Sequence, residues 1–204
     1  SASKTLRAPE AEMSVNRWII SETRETLETL NKAFDELRFD VAADTIYHFV
    51  FDVFCDWYLE LIKPEITAYG AARVVFEKDV EECKIVAGWA LDQILVMLHP
   101  FMPFITEEIY QTYFAKNEGD SSIHISSWPE SKKETKASEK FTDFCDLLSK
   151  VRQAKTNAKK AMNSEILLTL DKKDTEMLGN MIEDFKSVTN ATQVKQGKFN
   201  TEFI

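Results

Sequence analysis

Five cations without an intervening acid lie close together in the sequence, and their chemistry is that of phosphate binding. They occupy the stretch from Lys150 to Asn163: Lys150, Arg152, Lys155, Lys159 and Lys160. Residues 1–149 hold 15 lysines and arginines against 27 acids, whereas residues 150–204 hold 10 against 7. A local positive field therefore survives the overall net charge of −9. The stretch is either a contact for nucleic-acid phosphates or a solvated charged face.

The sequence carries no signature of a catalytic site. It has no P-loop, no glycine-rich dinucleotide motif, no nucleophile elbow and no H-E-x-x-H zinc motif. The three histidines are isolated: His99 precedes Pro100 at a predicted helix end, where a structural role is favoured, and His48 and His124 have no visible partner. We expect no catalytic residue and no cofactor within this chain.

A metal site is not indicated either. Cys55, Cys83 and Cys145 are odd in number and form no C-x-x-C pair, which argues against a disulfide framework and against a zinc site. A polar row at helical spacing offers further ligands: Asp44, His48, Asp52, Asp56 and Glu60. A solvated helix face explains this row better than a metal site, which needs ligands that converge.

The elements that must position these residues are mainly helices. Apolar residues recur at the helical period from Ser14 to Leu37, from Val41 to Ile62 and from Val80 to Leu98. We expect Ser14 or the Pro9-Glu10 pair to begin the first helix, and Asp40 to cap the second. The predicted inner face of the second helix is Ala43, Ile46, Tyr47, Val50, Phe54, Trp57, Tyr58 and Leu61.

Three prolines are expected to set helix boundaries. Pro64 should stop the second helix, and Pro100 should end the third near His99. Pro103 suits the first turn of a new helix. The new helix should turn four large side chains inward: Phe104, Ile105, Ile109 and Tyr113.

The basic stretch is itself predicted to be helical. Ser138 should cap a helix whose inner stripe is Phe141, Phe144, Leu148, Val151, Ala154 and Ala158. Arg152, Lys155 and Lys159 then share the outer face, with Lys160 beside them. The period changes after this helix. Residues 165–170 and two segments near the end of the chain are strand-like, and Asp171 or Asp174 opens a helix between them.

The predicted fold class is mainly α. An antiparallel helical bundle, residues 1–162, precedes a small α+β subdomain of strand-helix-strand type, residues 163–204, which we expect to be truncated. No uninterrupted run of about 18 apolar residues is present, so no membrane span is predicted. The first residues lack the apolar core of a secretory signal, and the cysteine pattern fits a reducing compartment. We expect a cytoplasmic protein.

Three sequence words carry a family resemblance. Leu37-Arg38-Phe39-Asp40 is followed by the run Phe54-Cys55-Asp56-Trp57-Tyr58-Leu59-Glu60, and later by the run from Leu98 to Glu108, LHPFMPFITEE. Together with Trp128-Pro129 they resemble the anticodon-binding domain of class I valyl-tRNA synthetases, over about residues 10–170. The motif LHPFMPFITEE is shared with isoleucyl and leucyl enzymes, whereas the motif FCDWYLE favours a valyl enzyme.

The resemblance implies the C-terminal region of a larger ligase that attaches valine to tRNA(Val), with ATP and magnesium bound elsewhere in the parent chain. Both ends of the sequence look cut, and we expect a monomer. For tRNA contact, Val151-Arg152 and Lys155 match a basic helix of the family, although Asn157 and Ala161 replace the acid and the proline expected there. Arg17 and Trp18 resemble a basic-aromatic pair. Trp18 stacks on an anticodon base or packs in the core.

Two alternatives stay open at this point. The chain is the anticodon-binding domain of an isoleucyl-, leucyl- or methionyl-tRNA synthetase, or it is a helical scaffold whose acidic bundle docks a basic protein. If the chain belongs to a valyl-tRNA synthetase or to one of these other synthetases, the candidate tRNA-contact residues are the same: Arg17, Trp18, Lys150, Arg152, Lys155, Lys159 and Lys160.

Overall fold

The computed structural model describes residues 8–66, 76–115, 121–129 and 139–204, and the chain divides into two compact units, Ser1–Ala137 and Ser138–Ile204. The described part of the first unit is helical. Its elements are α1 (Ser14–Asp35), α2 (Phe39–His48), a π-helical segment (Phe49–Leu59), α3 (Glu60–Ile66), α4 (Glu77–Leu98), α5 (Pro103–Tyr113) and a 3₁₀ turn (Ile123–Ile125).

The second unit is a small α+β module. It consists of α6 (Glu139–Asn157), β1 (Ile166–Leu170), α7 (Lys172–Leu178), a 3₁₀ turn (Gly179–Met181), α8 (Ile182–Thr189), β2 (Ala191–Gln196) and β3 (Asn200–Phe203). The strand order is β2-β1-β3, with β1 parallel to β2 and antiparallel to β3. Asp171 caps α7 by accepting a hydrogen bond from the Asp174 amide at 2.8 Å. The predicted fold class, helical followed by small α+β, is confirmed.

Helix α6 belongs with the sheet. It packs against α7, α8 and β3, and Phe144 meets Phe185 of α8 edge-to-face with 5.2 Å between ring centroids. Both rings are buried. The division of the chain therefore falls after Ala137, whereas the sequence prediction drew it after residue 162 because the helical pattern extends that far. The predicted cap Ser138 lies outside the described residues.

The first helix begins with help from a distant residue. The helix begins at Ser14, which is one of the two predicted starting points. The N-cap position is Met13, however, and neither its side chain nor that of Ser14 caps the helix. The Glu82 carboxylate of α4 accepts hydrogen bonds from the amides of Glu12 at 3.0 Å and Met13 at 2.9 Å. Burial opposes ionisation of Glu82, but these bonds and one from Asn16 outweigh it and lower the Glu82 pKa.

A buried asparagine joins this cap to the π-helical segment. Asn16 is fully buried and donates to Glu82 Oε1 at 2.9 Å. Its carbonyl accepts the Tyr58 hydroxyl at 2.8 Å, and Tyr58 is also fully buried. Three elements that are far apart in the sequence are thus tied by polar groups that satisfy one another, as buried polar groups must be.

The predicted inner face of the helix Val41–Ile62 is correct only in part: Ile46, Phe54 and Tyr58 are buried, but Ala43 and Tyr47 are exposed. The buried residues are Ala42, Ile46 and Phe49, followed by Phe54, Tyr58 and Ile62. The step of five from Phe49 to Phe54 matches the wider turn of the π-helical segment. A uniform helical period cannot reveal such a step. Tyr47, which lies in α2 before this step, was also predicted to face inward and is 57% exposed. Pro64 lies within α3 and does not end it.

The corner between α4 and α5 is formed where the prolines predicted it, but the facing of α5 is different. Phe104 is 91% exposed, and Ile105 and Tyr113 are also exposed, so their predicted inward positions are wrong. Thr106 and Tyr110 are the buried residues of α5. The Thr106 hydroxyl donates to the Met102 carbonyl at 2.9 Å and lies 2.7 Å from His99 Nδ1. This polar contact turns Thr106 inward and Phe104 outward.

Two histidines predicted to be isolated meet at this corner. His99 Nε2 lies 2.8 Å from His124 Nδ1. Because the Thr106 hydroxyl donates to Met102, it accepts from His99 Nδ1–H, which leaves His99 Nε2 to accept from His124. Burial and then the neighbouring His124 lower the pKa of His99, although Glu107 acts in the opposite direction. His48 also has partners, Asp52 at 2.6 Å and Asp44 at 3.5 Å.

The different burial of Phe54, in the π-helical segment, and Phe104, on α5, predicts a large difference in the stability effects of replacing them. Phe54→Ala, which removes a buried ring, should lower the free energy of unfolding of the helical unit by roughly 3 to 5 kcal/mol. Phe104→Ala should change it by about 0.5 kcal/mol or less, because that ring is exposed. Urea unfolding followed by tryptophan fluorescence measures both. A large loss in Phe104→Ala would mean that the ring is buried.

The histidine pair predicts a pH dependence. Since the folded-state pKa of His99 is lowered, the unfolded chain binds the proton first as the pH falls, and the stability contribution is lost below about pH 6.5. His99→Asn should therefore reduce the loss in urea midpoint between about pH 7.5 and about pH 5.5. His48→Gln is the control with the opposite sign, because hydrogen bonding to Asp52 raises the His48 pKa. If His99→Asn lost as much urea midpoint on acidification as the unmodified chain, this account would be contradicted.

Candidate nucleic-acid interface

The predicted basic residues of the second unit lie in three different environments around the end of α6. Lys150 is exposed on the helix, and Arg152 is half-buried. Lys155 is 1% exposed. Lys159 and Lys160 follow the helix and are exposed. Arg152, Lys155 and Lys159 therefore do not project from one face, which contradicts the sequence prediction.

The Lys155 ammonium is occupied by three backbone carbonyls. Its Nζ donates to Met162 O at 2.7 Å, to Ser164 O at 2.8 Å and to Thr189 O at 2.7 Å. An ammonium has three donors, so these bonds use all of them. Burial and then the charge of Arg152 lower the pKa of Lys155. Lys155 is a structural residue, and its predicted position as an outward RNA contact is wrong.

The partners of Lys155 explain how a cation is tolerated in the core. Thr189 is the last residue of α8, where the helix dipole is negative. Met162 and Ser164 lie on the segment that connects α6 to β1. The side chain therefore ties the last turn of α6, the start of the sheet and the end of α8 together. It fixes the course of the chain that carries Lys159 and Lys160.

The end of α6 also places Lys159 in an uncommon backbone conformation. The Lys160 amide donates to Lys155 O at 3.0 Å and the Lys159 amide to Thr156 O at 2.9 Å, which is the Schellman pattern of a helix end. Lys159 has φ +54°, in the left-handed region. Lys160 extends over the Phe203 ring, with its Nζ 5.8 Å from the ring centroid. Two cations are thereby held on a rigid turn and not on a helix face.

Arg17 and Trp18, the predicted basic-aromatic pair, differ in burial. Arg17 is exposed on α1, whereas Trp18 is 5% exposed and lies in the core of the helical unit. Of the two predicted roles of Trp18, core packing is the one that the structure supports. Glu22, whose pKa is raised by burial and then by Glu25, is hydrogen bonded to Trp18. Of this pair, only Arg17 is exposed, and its role as a contact residue stays a prediction.

A second concentration of cations, not singled out from the sequence, surrounds the β2–β3 turn. A concavity of about 720 Å³ is lined by Asp171, Lys172, Gln196, Gly197, Lys198 and Phe199. Lys172 lies 3.7 Å from Glu176, and Asp171 reduces the local positive charge. Only the positive balance of residues 150–204 hinted at these lysines, because they are separated in the sequence by acids and by a whole helix.

Within residues 8–66, 76–115, 121–129 and 139–204, no three side chains of histidine, cysteine, aspartate or glutamate converge as metal ligands would. No helix in the same part of the chain combines the length and apolarity that a membrane crossing requires.

The Lys155 contacts predict a marked difference between two lysines of α6. Lys155→Met should destabilise the second unit by roughly 3 to 5 kcal/mol, because three carbonyls lose their donors. The exposed Lys150→Met is the matched control and should change stability by about 0.5 kcal/mol or less. Hydrogen exchange of the β1 and β2 amides is the suitable measurement, since the tryptophans all precede residue 138. Equal effects of the two changes would place Lys155 in solvent.

Comparison with known proteins identifies the family. Residues 16–173 match the model described as the anticodon-binding domain of tRNA ligase. Valine–tRNA ligase of Rhizorhabdus wittichii is 53% identical over 128 residues, 63% of this chain and 13% of the relative. That of Zymomonas mobilis is 44% identical over 124 residues, 61% of this chain and 13% of the relative.

The valine–tRNA ligase of Sphingopyxis alaskensis is aligned over a longer range. It is 40% identical over 181 residues, 76% of this chain and 19% of the relative. The chain thus spans between 13% and 19% of the length of these relatives. The family match covers both the helical unit and the first strand and helix of the α+β unit. The chain therefore belongs to the anticodon-binding domain family of tRNA ligases.

Proposed function

We propose that this chain is the tRNA-binding region of a valine–tRNA ligase and that its partner is the valine tRNA. The full-length enzyme attaches valine to that tRNA with ATP and magnesium, and the residues for this chemistry lie elsewhere in the longer polypeptide. The proposal draws on the family match and on relatives that carry the name valine–tRNA ligase. We further propose that the enzyme acts in the cytoplasm as a monomer.

One observation carries the placement of the RNA contact. Lys150, Lys159 and Lys160 are exposed within a stretch, residues 150–163, that contains no acid. Phosphate contacts dominate the affinity of proteins for nucleic acids, and each neutralised phosphate releases counterions. Lys155 holds the turn that presents Lys159 and Lys160, and Arg152 adds positive charge beside it. Arg17 is proposed as a separate contact on the helical unit.

The experiment is a salt titration of tRNA binding by this chain. We compare the unmodified chain with the triple variant Lys150→Gln, Lys159→Gln and Lys160→Gln. If each lysine neutralises one phosphate, the log–log slope of affinity against salt should fall by roughly 2 to 3. Stability should change little, since all three side chains are exposed.

A matched control removes three exposed lysines from the helical unit, Lys32→Gln, Lys63→Gln and Lys84→Gln. The control equals the first variant in net charge, so an identical decrease in slope would reflect overall charge and contradict the proposed contact. Competition among valine, isoleucine, leucine and methionine tRNAs tests the amino-acid assignment. A chain that binds none of these tRNAs at low salt would favour a protein-interaction scaffold.

A further inference from the structure

Five large apolar side chains are exposed together on the helical unit. Leu37 is 72% exposed and Phe39 56%, at the turn between α1 and α2. Met102 is 52% exposed, Phe104 91% and Ile105 48%, at the corner between α4 and α5. We call Leu37, Phe39, Met102, Phe104 and Ile105 the corner surface. Contiguous exposed apolar groups of this kind mark interaction sites in folded proteins.

Aromatic contacts join the two halves of the corner surface. Phe34 of α1 lies against Phe39, with 6.2 Å between centroids, and against Phe101 of the corner, with 6.1 Å. Phe34 also meets Trp128 edge-to-face at 5.6 Å. The Trp128 indole donates to Asn31 at 2.7 Å, which fixes the ring against α1. Phe34 therefore links the α1–α2 turn, which carries Leu37 and Phe39, to the corner that carries Met102, Phe104 and Ile105.

The backbone of Leu37 adds an independent argument. Leu37 has φ +56°, and its amide and that of Arg38 donate to Phe34 O at 3.0 Å and Ala33 O at 2.7 Å. This helix end is the position where glycine is ordinarily found, because a side chain is strained there. A leucine at this position strains the backbone and also exposes an apolar side chain. A partner that covers Leu37 would bury this exposed side chain.

The charged residues around the corner surface indicate which kind of partner it can bind. Exposed acids border it: Asp35, Glu36, Asp40 and Glu108. The adjacent cation, Arg38, is held by both oxygens of Asp40 at 2.9 Å. An apolar surface with an acidic border repels RNA phosphates and fits an apolar protein surface with a basic border.

We propose that the corner surface docks against another domain of the same synthetase polypeptide. The inference rests on the proposed function. It is supported by the length of the relatives, of which this chain spans only 13% to 19%. In this arrangement the helical unit presents the corner surface to its own synthetase and leaves other faces for tRNA.

Hydrogen exchange of the 204-residue chain and of the full-length synthetase tests the proposal. The amides of residues 37–39 and of Phe101, Met102, Phe104 and Ile105 should exchange about tenfold or more slowly in the full-length enzyme. Phe104→Asn should abolish much of that protection and leave the melting temperature of the 204-residue chain unchanged. Leu37→Gly should also reduce the protection, yet raise the melting temperature of the 204-residue chain by about 2 °C, because it relieves the backbone.

Ile85→Asn provides the matched control, since Ile85 is 51% exposed on α4 and lies outside the corner surface. It should leave the protection intact. Equal exchange rates in the chain and in the full-length enzyme would overturn the proposal. So would dimerisation of the 204-residue chain that Phe104→Asn abolishes, which would assign the surface to a second copy. Titration with valine tRNA is a separate readout, so loss of RNA binding and loss of docking are distinguishable.

Discussion

The three hydrogen bonds from the Lys155 ammonium to backbone carbonyls determine how the basic end of the chain is presented. They fix the last turn of α6 against the end of α8 and the start of β1, and this arrangement produces the turn at Lys159 and Lys160. A charge that looks available for RNA in the sequence is used to build the surface that carries the remaining charges. Lys155 thus acts through the positions of its exposed neighbours and not through an exposed charge of its own.

Much of the fold follows from periodicity, and the errors have identifiable physical causes. The helices, the proline corner, the terminal strands and the Asp171 cap could all be predicted from spacing and residue type. The inner faces of two helices could be predicted only in part. In one, the π-helical step between Phe49 and Phe54 adds a residue to the repeat. In the other, a threonine that binds a histidine determines which side of α5 is buried.

The candidate site shows the same limit. Charge and spacing located the basic stretch, and Lys150, Lys159 and Lys160 are exposed. Lys155 could not be distinguished from them, because its partners are backbone carbonyls, which leave no mark in the sequence. His99 and His124 were missed as a pair for a related reason: a loop residue and a helix-end residue come together only after the chain folds back. The change of charge at residue 150 lies within the second unit, whose residues 138–149 still hold three acids against one lysine.

The cap of α1 has a consequence for synthesis on the ribosome. The carboxylate that binds the amides of Glu12 and Met13 belongs to Glu82, which is 70 residues downstream of Glu12. At translation rates of 5 to 20 residues per second, α1 emerges roughly 4 to 14 seconds before its cap exists. Its first amides and the Asn16 side chain are left to water during that interval. The cap of α1 is therefore completed only after Glu82 of α4 has been synthesised.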